Sequence, residues 1–316
     1  MPCVIQVLAT LAPVIALIAL GHQMRSRRWV DDSFWLPAER ATFFLFFPAL
    51  LITALARARL DGLPVGGIMA AEAGAVLIMA VATGLAASWL RQAPWRLDGP
   101  AFTSLFQCSM RPNTYVGLAV AAGLWGGQGV ALVAICTAAV VPLVNLLGIL
   151  ALLRWAGKEG ASFRWGVVLR QIVTNPLILS CVIGIALNLG GIGLPPVVGP
   201  FLDILAGASL PLGLLAVGAG IRLGELRRAG PSVALSIAAK MAVLPLLALA
   251  LGALCGLEGL ALAAAALYAA LPAAPVSYLV ARQMGGDAPL VATMLSAQTV
   301  AAALIMPVWI LAVPGY

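Results

Sequence analysis

The chain has 316 residues, 63% of them hydrophobic and only 9% charged, with a mean hydropathy of +1.07 and a formal net charge of +7. A soluble domain carries about a quarter charged residues, whereas here the apolar residues fall in runs long enough to cross roughly 30 Å of hydrocarbon as helices. The composition excludes a soluble enzyme or binding module; the lack of short alternating segments excludes a β-barrel, and basic residues parcelled among loops exclude nucleic acid as a partner.

The first apolar run, Val4 to Leu20, has no basic segment before it and is followed by Arg25, Arg27 and Arg28, so it reads as a retained helix and not a cleavable signal. Spans are predicted at 4–21, 36–56, 67–90, 102–125, 129–153, 167–188, 197–219, 233–255, 260–281 and 288–313. The expectation is an all-α membrane protein of ten transmembrane helices. Gly126-Gly127-Gln128-Gly129 lacks the Gly-Lys-Ser/Thr of a phosphate loop and reads as the turn between the fourth and fifth spans. With the N-terminus outside, thirteen Arg and Lys residues from Arg25 to Arg282 fall in cytoplasmic loops, against only Arg57 and Arg59 outside. That bias orients the chain in a bacterial inner membrane with both termini outside.

Shifting the sequence by 163 residues brings Pro13 onto Pro176, Pro37 onto Pro200, Pro48 onto Pro211 and Pro112 onto Pro275, with Gly21 on Gly184 and Arg59-Leu60 on Arg222-Leu223. The expectation is two five-helix repeats, 1–153 and 154–316. Five is odd, so the second copy enters from the opposite side, the inverted topology of many secondary transporters.

Two segments combine a break with polar atoms: Arg111-Pro112-Asn113-Thr114-Tyr115 in the fourth span, and Pro272 to Tyr278, containing Pro275 and Ser277, in the ninth. A proline removes an amide donor and clashes with the preceding turn, so each break must be buried in protein or line a cavity. Either they are structural kinks, or they face each other near the midplane and form a substrate site. Half-helix N-termini there suit a carboxylate.

Four ionisable residues are costly facing lipid and should point inward: Glu72, Arg111, Asp203 and Lys240. Arg111 either attracts an anion or pairs with Glu72 or Asp203. Lys240 either stands where a cation-coupled carrier keeps sodium or serves as counter-ion to an acid. Asp203 titrates or caps its helix, and Glu72 is a candidate carrier of a coupling proton. His22 reads as a loop residue. Cys3, Cys108, Cys136, Cys181 and Cys255 read as core fillers, and no cofactor is implied. Gln107, Asn145, Asn175, Asn188, Gln298 and Thr299 either line a pathway or hydrogen-bond between helices.

At these residues the chain resembles the auxin efflux carrier family, which includes bacterial malonate-transporter-like proteins and the plant PIN-type carriers. The matching pieces are Arg111 to Leu118, Thr174 to Leu179, and Leu210 to Gly220. The resemblance implies a fold similar to those of PIN-type carriers, bile-acid symporters and sodium–proton antiporters, with the fourth and ninth helices crossing at their prolines. It implies scaffold helices within 4–56 and 167–219, and transport helices within 67–153 and 233–313, moving as an elevator. It also implies a homodimer formed through the second and seventh helices, and a small organic anion such as malonate or malate as substrate. Pro112 and Asn113 carry over as the crossover and its polar substrate contact, with Pro275 as counterpart; Pro272, Thr114, Tyr115 and Ser277 complete the candidate site. A proton or sodium is the candidate coupling ion, and a sodium-coupled symporter of the wider superfamily is the first competing reading. An integral membrane enzyme, the second, would need clustered acids or histidines at one membrane face, which the sequence does not supply.

Overall fold

The computed structural model describes residues 4–58, 63–92, 95–156, 166, 170, 173–228 and 230–313. Expectations placed on Cys3, Arg59, Leu60, Lys158 and Arg164 lie outside these residues. The principal helices are α1 (Val4–Ser26), α2 (Asp32–Arg57), α3 (Val65–Leu85), α4 (Gly99–Cys108), α5 (Thr114–Trp155) and α6 (Pro176–Leu189). They continue with α7 (Val198–Gly220), α8 (Pro231–Leu254), α9 (Gly259–Ala269), α10 (Val276–Met284) and α11 (Ala288–Ala312).

The expectation of ten spanning helices in two inverted five-helix repeats is not met. Among the described residues seven helices, α1, α2, α3, α5, α7, α8 and α11, are long and apolar enough to cross a membrane. Four of these precede residue 160 and three follow it, so two matching sets of five are not observed. The physical reason lies in the breakers. Hydropathy runs smoothly through 102–125 and 260–281, but the backbone does not. The first is divided between α4 and the start of α5, and the second between α9 and α10. α4, α9 and α10 have 10, 11 and 9 residues, or about 15 Å each at 1.5 Å per residue, half a bilayer. The predicted sixth span shrinks to the 14 residues of α6, because Asn175 caps a helix that starts at Pro176 by accepting from the amides of Leu177 and Ile178. The fourth and fifth spans meet in the 42-residue α5, whose helical path is interrupted at Gly126 with φ 59° and ψ −146°. Only glycine adopts that conformation readily.

Two spanning helices carry a five-residue π turn, Thr42–Phe46 in α2 and Ala239–Val243 in α8, each followed closely by a proline, Pro48 and Pro245. The wider turn lets the chain accommodate the missing proline amide without ending the helix.

The helices pack in two groups. α1 lies along α7, and α2 packs on both α6 and α7. In the second group α3 contacts α5 and α8, α9 contacts α5 and α8, and α11 contacts α4, α8 and α10. α5 belongs to the second group and also touches α1, α2, α6 and α7, and α11 also touches α1, so these two helices form the seam. In α1 and α7 the backbones approach so closely that a Cβ on Gly218 would overlap the Ile18 carbonyl, and one on Gly21 the Leu215 carbonyl. Small residues at helix crossings make such approach possible. Cys108, Cys136 and Cys181 are buried free thiols.

The close crossing sets a paired expectation. Gly218→Ala should destabilise the protein by about 1–3 kcal/mol, because the clash is with backbone that cannot rotate away. Gly207→Ala, exposed on the same helix with open space at its Cβ, should gain roughly 0.5–1 kcal/mol in helix propensity. Thermal unfolding of the purified variants distinguishes the two; equal shifts would refute the packing account.

Candidate functional site

The two broken helices meet. Between α4 and α5 the chain is non-helical over residues 109–113, and between α9 and α10 over residues 270–275. The breaks run antiparallel, with Pro112 opposite Ala273. The Asn113 amide donates to the Pro272 carbonyl at 2.8 Å and the Ala274 amide to the Arg111 carbonyl at 3.3 Å. Each break therefore supplies what the other lacks, in a region where water does not reach freely.

Gln298 of α11 completes the exchange. Had α4 continued, the Cys108 carbonyl would accept from residue 112, but proline has no amide hydrogen. The Gln298 Nε2 donates to that carbonyl instead, at 3.1 Å, and also to the Ser236 hydroxyl at 2.6 Å. Had α9 continued, the Ala273 amide would donate to the Ala269 carbonyl. It donates instead to Gln298 Oε1 at 2.8 Å, and the Ala269 carbonyl accepts from Lys240 Nζ at 2.6 Å. One side-chain amide thus serves an orphaned acceptor of one break and an orphaned donor of the other.

Some of the buried polar side-chain atoms left unpaired lie here, the others belonging to Trp35, Glu72, Trp95, Gln107, Arg111 and Tyr268. Both polar atoms of the Asn113 side chain and the Ser277 hydroxyl are buried with no hydrogen-bond partner. Asn113 is the N-cap of α5 but makes no side-chain cap bond, and Pro275, N-cap of α10, has no side-chain donor or acceptor to offer. Both helices begin within three residues of the bridge, so two positive helix ends lie at the same crossing. Thr114 is buried beside Tyr268. Tyr115 turns outward to the seam, with its ring 4.4 Å from that of Phe47 in α2 and close to Gly213 in α7.

A match to the family model described as "Membrane transport protein" covers residues 6–310. The chain belongs to that family. An uncharacterized transporter of Methanothermobacter thermautotrophicus is similar to it, 23% identical over 307 residues that cover 95% of this chain and 96% of the relative. The protein is thus a multi-pass membrane transporter and not an enzyme, in keeping with the auxin efflux carrier resemblance carried by Arg111 to Leu118.

In this transporter the charged residues separate. The guanidinium of Arg111 is turned to α5, donating to Asn145 Oδ1 at 2.9 Å and the Val144 carbonyl at 3.3 Å, and pairs with neither Glu72 nor Asp203. Gly148 leaves the room for it and for Gln107, whose amide is buried without a partner. Asp203 forms a two-point ion pair with Arg57, at 2.7 and 2.8 Å, joining α7 to the end of α2. Glu72 is buried in α3 within electrostatic reach of Lys240, which lies in the π turn of α8. The crossing therefore gathers Pro112, Asn113, Thr114, Pro272, Pro275 and Ser277, with Lys240 behind the end of α9. Arg111 turns from it to Asn145 and Val144 of α5 and Tyr115 to Phe47 of α2, and Asp203 belongs to another part of the molecule.

Gln298 carries more of this arrangement than the sequence discloses. Its signal is an amide in the apolar run of α11, which reads equally as pathway lining or as a bond between helices. Gln298→Leu leaves three buried backbone or hydroxyl groups without their partner. Each orphaned group costs about 1–3 kcal/mol, so a marked fall in melting temperature is expected, larger than that of Thr299→Val on the next position. A melting temperature within a degree or two of wild type would remove Gln298 from this role.

Proposed function

We propose that this transporter carries a small organic anion, a mono- or dicarboxylate such as malonate or malate, bound where the two breaks cross. The observation that carries this reading is the pair of unpartnered, buried polar side chains, Asn113 and Ser277, beside the first turns of α5 and α10. A carboxylate accepts hydrogen bonds from an amide and a hydroxyl and is stabilised by the positive ends of half-helices. Arg111 acts from one side as a positive charge without an acidic partner and not as a direct ligand.

The helix packing supports an elevator movement. α1, α2, α6 and α7 form the scaffold, and α3 to α5 with α8 to α11 carry the crossing past it, the seam running through Phe47, Tyr115 and Gly213. The homodimer contact falls on α2 and α7, which leave Phe44, Leu45, Phe201 and Ile204 exposed.

Coupling is read from Lys240. The carbonyl end of a half-helix is where sodium-coupled carriers coordinate their ion, and here the Ala269 carbonyl, at the end of α9, already accepts from an ammonium. That carbonyl, already occupied by the Lys240 amine, favours sodium-independent transport and stands against the sodium-symporter alternative.

Reconstituted protein should show saturable uptake of a labelled carboxylate, with currents on a solid-supported membrane if transport moves net charge. Losing hydrogen bonds to a charged ligand costs about 1.5–3 kcal/mol, so Asn113→Ala should raise the half-saturating concentration roughly ten- to a hundredfold. Unchanged transport in Asn113→Ala would remove the crossing as the site. Replacing sodium by potassium should leave the wild-type rate unaltered; a rate that follows sodium would revive the symporter.

A further inference from the structure

A cavity of about 280 Å³ lies between α1, the first half of α5 and α11; it reaches the crossing at Pro272, but neither Asn113 nor Arg111 lines it. Its walls include Leu11, Ile18, Val120 and Met306, and its only polar side chains are His22 and Thr299. Ile15 and Val300 on its walls are exposed, so it opens on the outer surface of the spanning region. At one end it joins a second cavity of about 500 Å³ through the shared residues His22, Ile221 and Leu223. That one is lined by Arg25, Arg28, Arg222 and a single acid, Asp32. Arg25 is committed, bonding Asp32 at 2.8 Å and the Ala219 carbonyl at 2.9 Å. Arg28 and Arg222 remain exposed, the latter lying over the Tyr278 ring at 5.6 Å.

An apolar groove ending in a basic mouth fits an amphiphile with an anionic head. The length of the groove decides which kind. From Leu11 to His22 helix α1 advances about 16 Å, close to half the roughly 30 Å hydrocarbon thickness. A groove one leaflet deep is matched to an acyl chain and is longer than a small carboxylate needs. The basic mouth lies where α1 meets its arginine-rich loop, the feature that marks a cytoplasmic face, and that leaflet holds anionic lipid. We propose that this groove binds one phospholipid with an anionic headgroup, its phosphate in the pocket of Arg28 and Arg222 and an acyl chain between α1 and α11. Because α1 and α11 belong to different helix groups, the lipid sits in the seam and fills space that opens or narrows as the groups move.

The test is native mass spectrometry of the purified transporter from mixed micelles containing equimolar phosphatidylglycerol and phosphatidylcholine with the same chains. Wild type should retain one equivalent of phosphatidylglycerol in preference. A juxtamembrane arginine contributes about fivefold to such a preference, so Arg28→Gln with Arg222→Gln should abolish most of it while the melting temperature holds. Ala303→Phe, which fills the groove from α11, should reduce retention of both lipids; Ala19→Phe does so from α1 if the first variant does not fold. Equal retention of the two lipids by wild type overturns the proposal, as does a preference untouched by the arginine substitutions. Displacement by millimolar inorganic phosphate would make this a phosphate site and overturn it too. The readout involves no transport and is separable from the fate of the Asn113 site.

Discussion

A helix broken inside hydrocarbon exposes amides and carbonyls that have no water to turn to, and the architecture around the crossing answers that constraint. Two breaks placed antiparallel satisfy part of each other through the bridge at Pro112 and Ala273. The remainder falls to side chains from neighbouring helices, Gln298 from α11 and Lys240 from α8. Neither break is stable alone, since each would leave polar backbone in a low-dielectric interior. The crossing therefore requires α8 and α11 packed against it, which explains why these helices group with α4, α5, α9 and α10 and not with α1 and α7. Beside these bonds the side chains of Asn113 and Ser277 are left without partners, and it is this capacity that the proposed ligand would use.

The breaks themselves are legible in the sequence, because proline in an apolar run has one physical meaning and Asn113 and Ser277 lie beside Pro112 and Pro275. Helix count is not legible in the same way. A hydropathy window averages over Pro272 and Pro275 as readily as over leucine, so it reads α9 and α10 as one span. Its division of the 42-residue α5 at the glycines does coincide with the kink, where Gly126 leaves helical angles. Partner choice is also hidden. Arg111 had Glu72 and Asp203 as candidate acids, but Asp203 meets Arg57 at a distance of 146 residues in the chain, and Arg111 bonds Asn145 and a carbonyl instead. Such pairings depend on helix rotation and depth, which composition does not encode.

The close contact of α1 with α7 and the bonds of α2 to α6 give the scaffold a different character. Asn188 of α6 donates to the carbonyls of Leu55, Ala56 and Ala58 at the end of α2, and Arg57 clasps Asp203 of α7 at the same end. Those orphaned carbonyls are the C-terminal counterpart of the problem solved at the crossing. Here the solution fastens three helices of one group together. The seam combines ring contacts of Phe47 and Tyr115 over Gly213 with directional bonds, the Cys181 thiol donating to the Ala134 carbonyl at 3.6 Å and the Arg222 amide to the Ser296 hydroxyl at 2.9 Å.

The balance of buried charge bears on the sign of the ligand. The buried ionisable side chains among the acids, lysines and arginines described are Glu72, Arg111 and Lys240. In their ordinary forms they sum to one positive charge. Lys240 has Glu72 in electrostatic reach, whereas the partners of Arg111 are a neutral amide and a carbonyl, which orient the guanidinium without neutralising it. An uncompensated cation in a low-dielectric interior is costly. A bound anion lowers that cost, and a bound cation would raise it. The two positive helix ends at the crossing act in the same direction. The charge balance and the helix ends thus rest on different atoms and support the anionic solute proposed above, to which the Asn113 amide and the Ser277 hydroxyl can donate.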